Sequence, residues 1–322
     1  MTDGIVSVVM PLYNNAADVV RSIESVLSQT HRALELLVVN DGSTDGGEKL
    51  AKAVGDSRVR VIDQSNAGVS AARNRGAEEA KSTIVAFLDA DDEWKPDFLE
   101  TIVRLRGSFP VCKVFATHYC YREVDGTLRT PILRKIPPGE WEGILEHYFD
   151  VAGSSDPPIW SSAVALEREA LASVGGFPEG IAVGEDLLTW ARLAVRYPIA
   201  YSRKPCSVFR LRAPLVGYPT RAPEDIDIVG RELELLSVRV LPGEQRAFRR
   251  YLGMWHRMRA SMYVQRGERV AAWSEAMSII SHVPTDPRGY LYATLAILPK
   301  YLRNFILRLF TLGRTSRRTI TR

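Results

Sequence analysis

Three short apolar runs, Val6–Leu12, Leu36–Val39 and Ile84–Leu88, with a further strand candidate at Val59–Ile62, alternate with segments of helical period in the first ninety residues. Runs this short, bounded by polar and turn residues, read as strands buried on both faces of a sheet. Between the first two, Val19, Val20, Ile23, Val26 and Leu27 recur at helical spacing, with Asn14 or Asn15 placed to cap the helix. A second helix runs to about Val54, and a third opens at Asn66-Ala67-Gly68-Val69-Ser70 and carries Arg73, Asn74 and Arg75. Strands alternating with helices predict an α/β fold, a mostly parallel, Rossmann-like sheet with helices on both faces. Ligands of such sheets gather at the carboxyl ends of the strands.

Those ends are chemically distinctive. The first closes on Pro11-Leu12-Tyr13, and the second on Asn40-Asp41-Gly42-Ser43-Thr44-Asp45-Gly46, a turn built from glycine and short polar side chains. The fourth ends in Asp89, Asp91 and Asp92. Carboxylates this close repel, and each resists losing water. A divalent cation backed by a diphosphate would relieve both problems, and Mg2+ or Mn2+ suits oxygen ligands of this kind. The alternative is a solvated acidic loop.

Past Trp94 the alternation weakens. A helix is expected over Pro96–Arg106, a strand over Val111–Tyr121, a hairpin turn at Asp125-Gly126, a helix over Glu140–Asp150 and a strand over Ser161–Leu166. Gly175-Gly176-Phe177-Pro178 is a tight turn, and Gly184-Glu185-Asp186 leads into a helix through Trp190. From Pro223 the texture becomes helical, over Asp225–Val240, Glu244–Arg266 and Glu268–Ser281. These shifts divide the chain into a sheet-based region (1–215), a helical extension (216–286) and a basic end (287–322).

Composition narrows the class. Of 322 residues, 46% are apolar and 25% charged, ordinary values for a globular protein. Cys112, Cys120 and Cys206 show no ligand spacing and read as reduced thiols of a cytosolic protein. The segment Met1–Val6 lacks a basic stretch followed by an apolar one, so no signal peptide is expected, and no apolar run is long enough for a spanning helix. Net charge is +4, yet the end from Pro287 holds eight basic and no acidic residues, which leaves the body at −4. An acidic body without a recognition motif argues against nucleic acid. In the basic end, Leu295, Leu298, Leu302, Phe305 and Leu309 repeat at spacings of three and four, with Pro299 expected to interrupt the helix. Such a helix either lies on the inner face of an anionic membrane as a peripheral contact or packs on the body. His31, His118, His147, His256 and His282 show no ligand spacing and read as structural or surface residues. Without Gly-x-Gly-x-x-Gly after the first strand, a dinucleotide is not expected, and no Gly-x-Ser-x-Gly argues for a hydrolase.

Six motifs occur in order: Val8–Asn14 (VVMPLYN), Val38–Asp45 (VVNDGSTD), Asn66–Asn74 (NAGVSAARN), Phe87–Asp92 (FLDADD), Gly175–Phe177 (GGF) and Gly184–Trp190 (GEDLLTW). Together, over roughly Ser7 to Leu211, the chain resembles the family 2 glycosyltransferases, which have the GT-A nucleotide-diphospho-sugar transferase fold. The helices after Pro223 match no motif of that kind. The resemblance implies an inverting, metal-dependent transferase that uses a nucleotide-sugar donor, above all a UDP-sugar. The acceptor would be a hydroxyl on a glycan, a lipid-linked molecule or a protein, in bacterial surface polysaccharide or glycolipid assembly.

Residue by residue, the resemblance makes Pro11 and Tyr13 a wall beside the base. It makes Asp41 an acceptor for the base N–H, where the alternative is a turn former. Arg73, and more weakly Asn66, would contact the nucleotide, where the alternative for Arg73 is a solvated helix arginine. Asp89 and Asp91 form the Asp-x-Asp signature, with Asp89 on the nucleotide side and Asp91 on Mn2+ or Mg2+, joined by Asp92 as a second ligand or supporting group. Asp186 would be the catalytic base and Glu185 its orienting neighbour or a donor-sugar contact; the alternative is two acids capping a helix. Trp160 is a stacking candidate for acceptor sugar, whereas Trp190 reads as core. Two other classes share features of this pattern: a non-catalytic sugar-nucleotide or glycan-binding scaffold, and a nucleotidyltransferase. The latter would carry a glycine-rich basic loop after the first strand, and Pro11–Asn15 is not one.

Overall fold

The computed structural model describes residues 4–211, 223–224 and 226–303. Its first half is β1 (Val6–Leu12), α1 (Val19–Leu27), β2 (Leu34–Asp41), α2 (Gly47–Ala53), β3 (Val59–Gln64), α3 (Val69–Glu79), β4 (Ile84–Phe87), β5 (Glu93–Trp94) and α4 (Phe98–Ser108). There follow β6 (Val114–Arg122), β7 (Leu128–Arg129), β8 (Glu142–Ile144), α5 (Tyr148–Ser154), β9 (Val164–Glu167), α6 (Arg168–Ser173), α7 (Glu185–Arg196) and β10 (Ile199–Arg210). Helices α8 (Ile228–Ser237), α9 (Gln245–Arg266), α10 (Arg269–His282) and α11 (Pro287–Ile297) complete the described chain.

One sheet in the order β3-β2-β1-β4-β9-β6-β10-β5 organises the molecule, with β7 and β8 paired to β6 and β10. The β3-β2-β1-β4 half is parallel, as the alternating pattern predicts. Beyond β4 the sheet is mixed: β9 runs antiparallel to both β4 and β6, whereas β10 is parallel to β6. Chain order reverses at β1, since β2 lies on one side and β4 on the other. A crevice at the carboxyl ends of β1 and β4 is the consequence.

Successive residues in a strand face opposite sides, and both sides are covered here. Val9, Leu37, Val39, Val85 and Phe87 join one core, and Val8, Met10, Leu36, Val38, Ala86 and Leu88 join the other. Each fully buried Val or Leu contributes about 2 kcal/mol. On α3, Gly76 lets the helix approach β1; a Cβ there would sit 2.3 Å from Val9 Cγ1.

Several expectations are corrected. Helix α1 starts after Asp18, not at Asn14 or Asn15. Asn14, at φ +50°, instead accepts from Thr44 N–H at 2.9 Å, so its side chain fastens the end of β1 to the turn after β2. The span expected as one helix over Glu140–Asp150 divides into β8 and α5, because Leu145 N–H bonds Ile199 O beside the β8–β10 pairing. Strand β10 was absent from the sequence reading: Arg203-Lys204-Pro205 breaks its apolar run, and the sheet accommodates it through register shifts around Pro205.

The helical extension shares a core with the sheet. Phe248, Tyr251, Leu252 and Trp255 of α9 belong to the same cluster as Phe149, Leu188 and Trp190. Helix α11 ends at Ile297, two residues before Pro299, and Leu295 and Leu298 pack with Tyr263, Val264 and Ala272. Phe305 and Leu309 lie outside the described residues. Among the described residues no helix is long and apolar enough to cross a membrane, and all three cysteines are free and buried.

Candidate active site

The acidic turn after β4 is fixed from several sides. Asp92 N–H closes it on Asp89 O at 3.0 Å. Ser22 Oγ donates within reach of Ala90 O (2.9 Å) and Asp92 O (2.7 Å). Ser162 Oγ accepts from Asp89 N–H at 3.0 Å and bonds Asp92 Oδ2 at 2.5 Å. Trp160 Nε1 donates to that same oxygen at 3.1 Å, and Arg210 N–H reaches Asp92 Oδ1 at 3.4 Å.

Asp92 is therefore turned inward. It is fully buried, and its carboxyl is held well above the ordinary range by burial and by the charges of Asp91 and Asp89. Of the two roles expected for Asp92, second ligand or supporting group, these bonds suit the supporting one, because its oxygens serve the Trp160–Ser162 segment. Trp160 is half-buried, with its indole against Phe209 (4.6 Å) and Tyr119 (5.8 Å). It borders the acidic turn through this bond to Asp92.

Arg73 joins the acidic turn to the distant Gly-Glu-Asp segment. It donates to Asp89 Oδ1 at 2.8 Å and to Glu185 Oε1 at 3.2 Å, and it is 3% exposed. Phe177 stacks beneath the guanidinium at 5.3 Å and meets Phe87 at 5.2 Å and Trp190 at 5.6 Å. The Gly-Gly-Phe motif thus delivers an aromatic seat for Arg73. Asn74 holds that seat, accepting from Phe177 N–H and donating to Phe177 O, both at 2.8 Å. Gly176 is required there: its φ is +73°, and a Cβ would approach Asn74 Oδ1 to 2.7 Å. The solvated helix arginine that was the alternative is not what is found: Arg73 is buried and its fork engages two carboxylates.

Asp186 stands at the start of α7, where Leu187 N–H donates to its Oδ1 at 2.7 Å. Burial raises its carboxyl above the ordinary range, against the pull of Arg73. The Glu185 carboxyl is pushed up to about 7, first by burial and then by Asp186. Both acids thus sit in a place that resists ionisation, and Arg73 is the cation that keeps them poised. Tyr251 of α9 donates to Leu187 O at 2.9 Å, which anchors this helix start to the extension.

The nucleotide-side candidates cluster at the ends of β1 and β2. Pro11 is buried in register with Val39, and Tyr13 is half-exposed beside it. Asp41 accepts from Gln64 Nε2 (2.8 Å) and from the N–H groups of Ala67 (2.8 Å) and Gly68 (2.9 Å). Both its oxygens face the loop that carries the exposed Asn66. Asp41 thereby shapes that loop. Gly42, at φ +74°, passes so close that a Cβ would lie 3.0 Å from Asn66 N.

The donor set fits a divalent cation. Three carboxyl groups crowd one turn, and burial, together with the charges of Asp91 and Asp89, raises Asp92. Asp91 and Asp89 are the side chains that would hold it. Sequence reasoning missed Ser162 and Tyr251, which lie in no acid or glycine motif, and it gave Asn74 no role although it closes the Asn66–Asn74 motif.

A Rossmann-like half-sheet that ends in an Asp-x-Asp turn, bridged to a second acidic segment, defines a GT-A protein. The family model for glycosyl transferase family 2 matches residues 7–171, just over half of the chain, and the chain belongs to that family. The uncharacterized glycosyltransferase YibD of Escherichia coli is 43% identical over 125 residues, 38% of this chain and 36% of the relative. An uncharacterized glycosyltransferase of Rickettsia bellii is 31% identical over 214 residues, 66% of this chain and 29% of the relative. These matches span about a third of the relatives' length. The crystal structure of S. aureus TarS 1–349 superposes with a TM-score of 0.64 at 18% identity, over 87% of this chain and 81% of that one. A second TarS structure, in complex with UDP-GlcNAc, gives 0.57 at 17% identity over 90% of each chain.

Proposed function

We propose that this protein is a metal-dependent, inverting glycosyltransferase that moves a sugar from a UDP-sugar to an acceptor hydroxyl. The observation that carries the reading is the Arg73 bridge, which ties the Asp-x-Asp turn to the segment bearing Asp186. An alcohol is a weak nucleophile until a positioned group takes its proton in the transition state. Asp186, partly desolvated, accepts that proton as the acceptor oxygen bonds the anomeric carbon. The bond from that carbon to the diphosphate breaks on the opposite face, and the nucleoside diphosphate departs. One displacement inverts the anomeric centre.

Asp91 and Asp89 would hold Mn2+ or Mg2+, whose chemistry when bound is to neutralise the departing diphosphate. Tyr13 and the Asn66 loop form the side on which the base would lie. Trp160, bonded to Asp92, is the residue we assign to stacking on an acceptor sugar. The binding of UDP-GlcNAc by TarS, a structural neighbour, supports a UDP-sugar donor. A surface-polysaccharide setting draws support from the relative named a putative teichuronic acid biosynthesis glycosyltransferase, TuaG of Bacillus subtilis, 29% identical over 205 residues.

The test is a thermal-shift panel of UDP-, GDP- and dTDP-sugars with and without Mn2+. A ligand that binds only the folded state raises the melting temperature. Stabilisation by UDP-sugars that requires Mn2+ is expected. Stabilisation by none of the three nucleotides would overturn the reading.

A further inference from the structure

We propose a metal site, for Zn2+, formed by Glu234 of α8, His256 of α9 and His282 of α10, none of which belongs to a motif of the transfer site. One donor atom from each of these three side chains lies within 4.8 Å of the other two. Their sequence separations, 22 and 26 residues, follow no ligand spacing, so only the packing of three helices brings them together.

The chemistry of His256 carries the argument. Its side chain is buried, and Nδ1 lies 2.7 Å from Glu275 Oε2. The other oxygen of Glu275 accepts from Arg259 Nε at 2.7 Å. A carboxylate engaged by arginine only accepts, so Nδ1 carries the proton and Nε2 presents its lone pair. That Nε2 is buried and has no hydrogen-bond partner. Buried polar atoms left in this state are uncommon and call for a reason. A carboxylate behind a histidine, fixing its tautomer and raising its basicity, is the usual support of a metal-bound imidazole.

His282 completes the pair. Its ring stacks on that of His256 with centroids 5.4 Å apart and planes 8° from parallel. His282 Nε2 and Glu234 Oε1 are 3.6 Å apart, beyond a good hydrogen bond. Donors around tetrahedral Zn2+, each about 2.0–2.1 Å from the ion, stand roughly 3.4 Å apart. The Glu234–His282 separation is close to that value, and the His256 donor lies within 4.8 Å of both, so side-chain rotation closes the set. Glu234 is half-exposed, so its side chain can supply that movement and the ion can enter past it. The fourth position opens to water on that side. Two imidazoles with one carboxylate favour Zn2+ over Mg2+ or Mn2+, which prefer oxygen. A second grouping, Asp227, His256 and Glu275, uses carboxylates already committed to Trp255 and Arg259 and is not the site.

The ion would staple α8, α9 and α10. His256 follows Trp255, whose ring lies against Gly184, one residue before the acidic pair of α7. Zinc at this place acts on stability and leaves the transfer chemistry to other residues.

The test uses the full chain, free of any histidine tag and stripped with chelator. Zn2+ affinity is measured by competition with a chromophoric chelator, and melting temperature is followed with added Zn2+. One equivalent is expected to bind in the nanomolar range and to raise the melting temperature, with a tetrahedral visible spectrum on Co2+ substitution. His282→Ala should weaken binding at least 100-fold, and Glu275→Gln about 10- to 100-fold through the supporting bond. Glu234→Gln, at a half-exposed helix position that keeps the fold, should weaken it about 10-fold. Asp91→Asn should leave it unchanged. Affinity weaker than micromolar in the wild-type chain, an unchanged affinity in Glu234→Gln or His282→Ala, or loss in Asp91→Asn would each overturn the proposal.

Discussion

The ring of Trp255 occupies the space that a side chain on Gly184 would need: a Cβ there would lie 2.4 Å from Cζ3. Gly184 is also the N-cap of α7, at φ +89°, a conformation that L side chains rarely adopt. The helical extension thus presses directly on the start of the helix that bears Asp186. Gly184→Ala should destabilise the protein by roughly 3 kcal/mol, from strain and overpacking together. Trp255→Phe in the same chain should restore part of that loss, because the smaller ring leaves room. Calorimetric melting of the single and double variants checks this.

Arg73 makes a different demand. It is the buried cation between Asp89 and Glu185, so Arg73→Met leaves two acids facing each other without it. Removing one partner of a buried pair is strongly destabilising, and about 3 kcal/mol is expected here. Arg73→Lys should rescue little, since one ammonium cannot span both carboxylates as the planar fork does. Chemical denaturation of the two variants measures the effect.

The pH dependence follows from the acidic pair. Glu185 is pushed up to about 7, and Asp186 is raised as well. The base works ionised, so kcat/KM should fall on the acid side, at a pH above the ordinary aspartate range because burial raises Asp186. Glu185→Gln removes one negative neighbour and should move that limb to lower pH. The sign for stability is opposite. The fold holds these protons more tightly than the unfolded chain does, so the pair's contribution is present at low pH and is lost as pH rises through about 7.

Asp91 and Asp92 should part company on substitution. Asp92 is the inward carboxyl that binds Ser162 and Trp160, and Asp91 is the candidate ligand. Asp91→Asn should raise the Mn2+ concentration for half-maximal activity by about 10-fold or more, and Asp92→Asn should change it by less than about 3-fold. Asp92→Asn should instead lower the melting temperature. Metal titrations of rate, beside thermal melts, separate the two.

Much of this was legible before any coordinates. Strands β1, β2 and β4 announce themselves because each is buried on both faces and is largely apolar, whereas β3, at the sheet edge, carries the exposed Arg60. The acids Asp89, Asp91, Glu185 and Asp186 stand out because glycines and aromatics frame them. Strand β10 stayed hidden, since the sheet tolerates Arg203, Lys204 and Pro205 through local register shifts. The inward turn of Asp92 was also out of reach, because its partners Trp160, Ser162 and Arg210 come from other elements. For Arg73, the residue type was informative and its partners were not: only the fold shows that Glu185 reaches it across more than a hundred residues. The stacking of His256 on His282 is of the same kind, a product of α9 crossing α10.

The central claim is that Asp186 takes the proton of the acceptor. The direct measurement is the transfer rate with a UDP-sugar and Mn2+ for wild type and Asp186→Asn, beside UDP affinity by calorimetry. The account predicts a fall in kcat of about 10²- to 10⁴-fold with UDP affinity unchanged. Full-rate transfer by Asp186→Asn would contradict it.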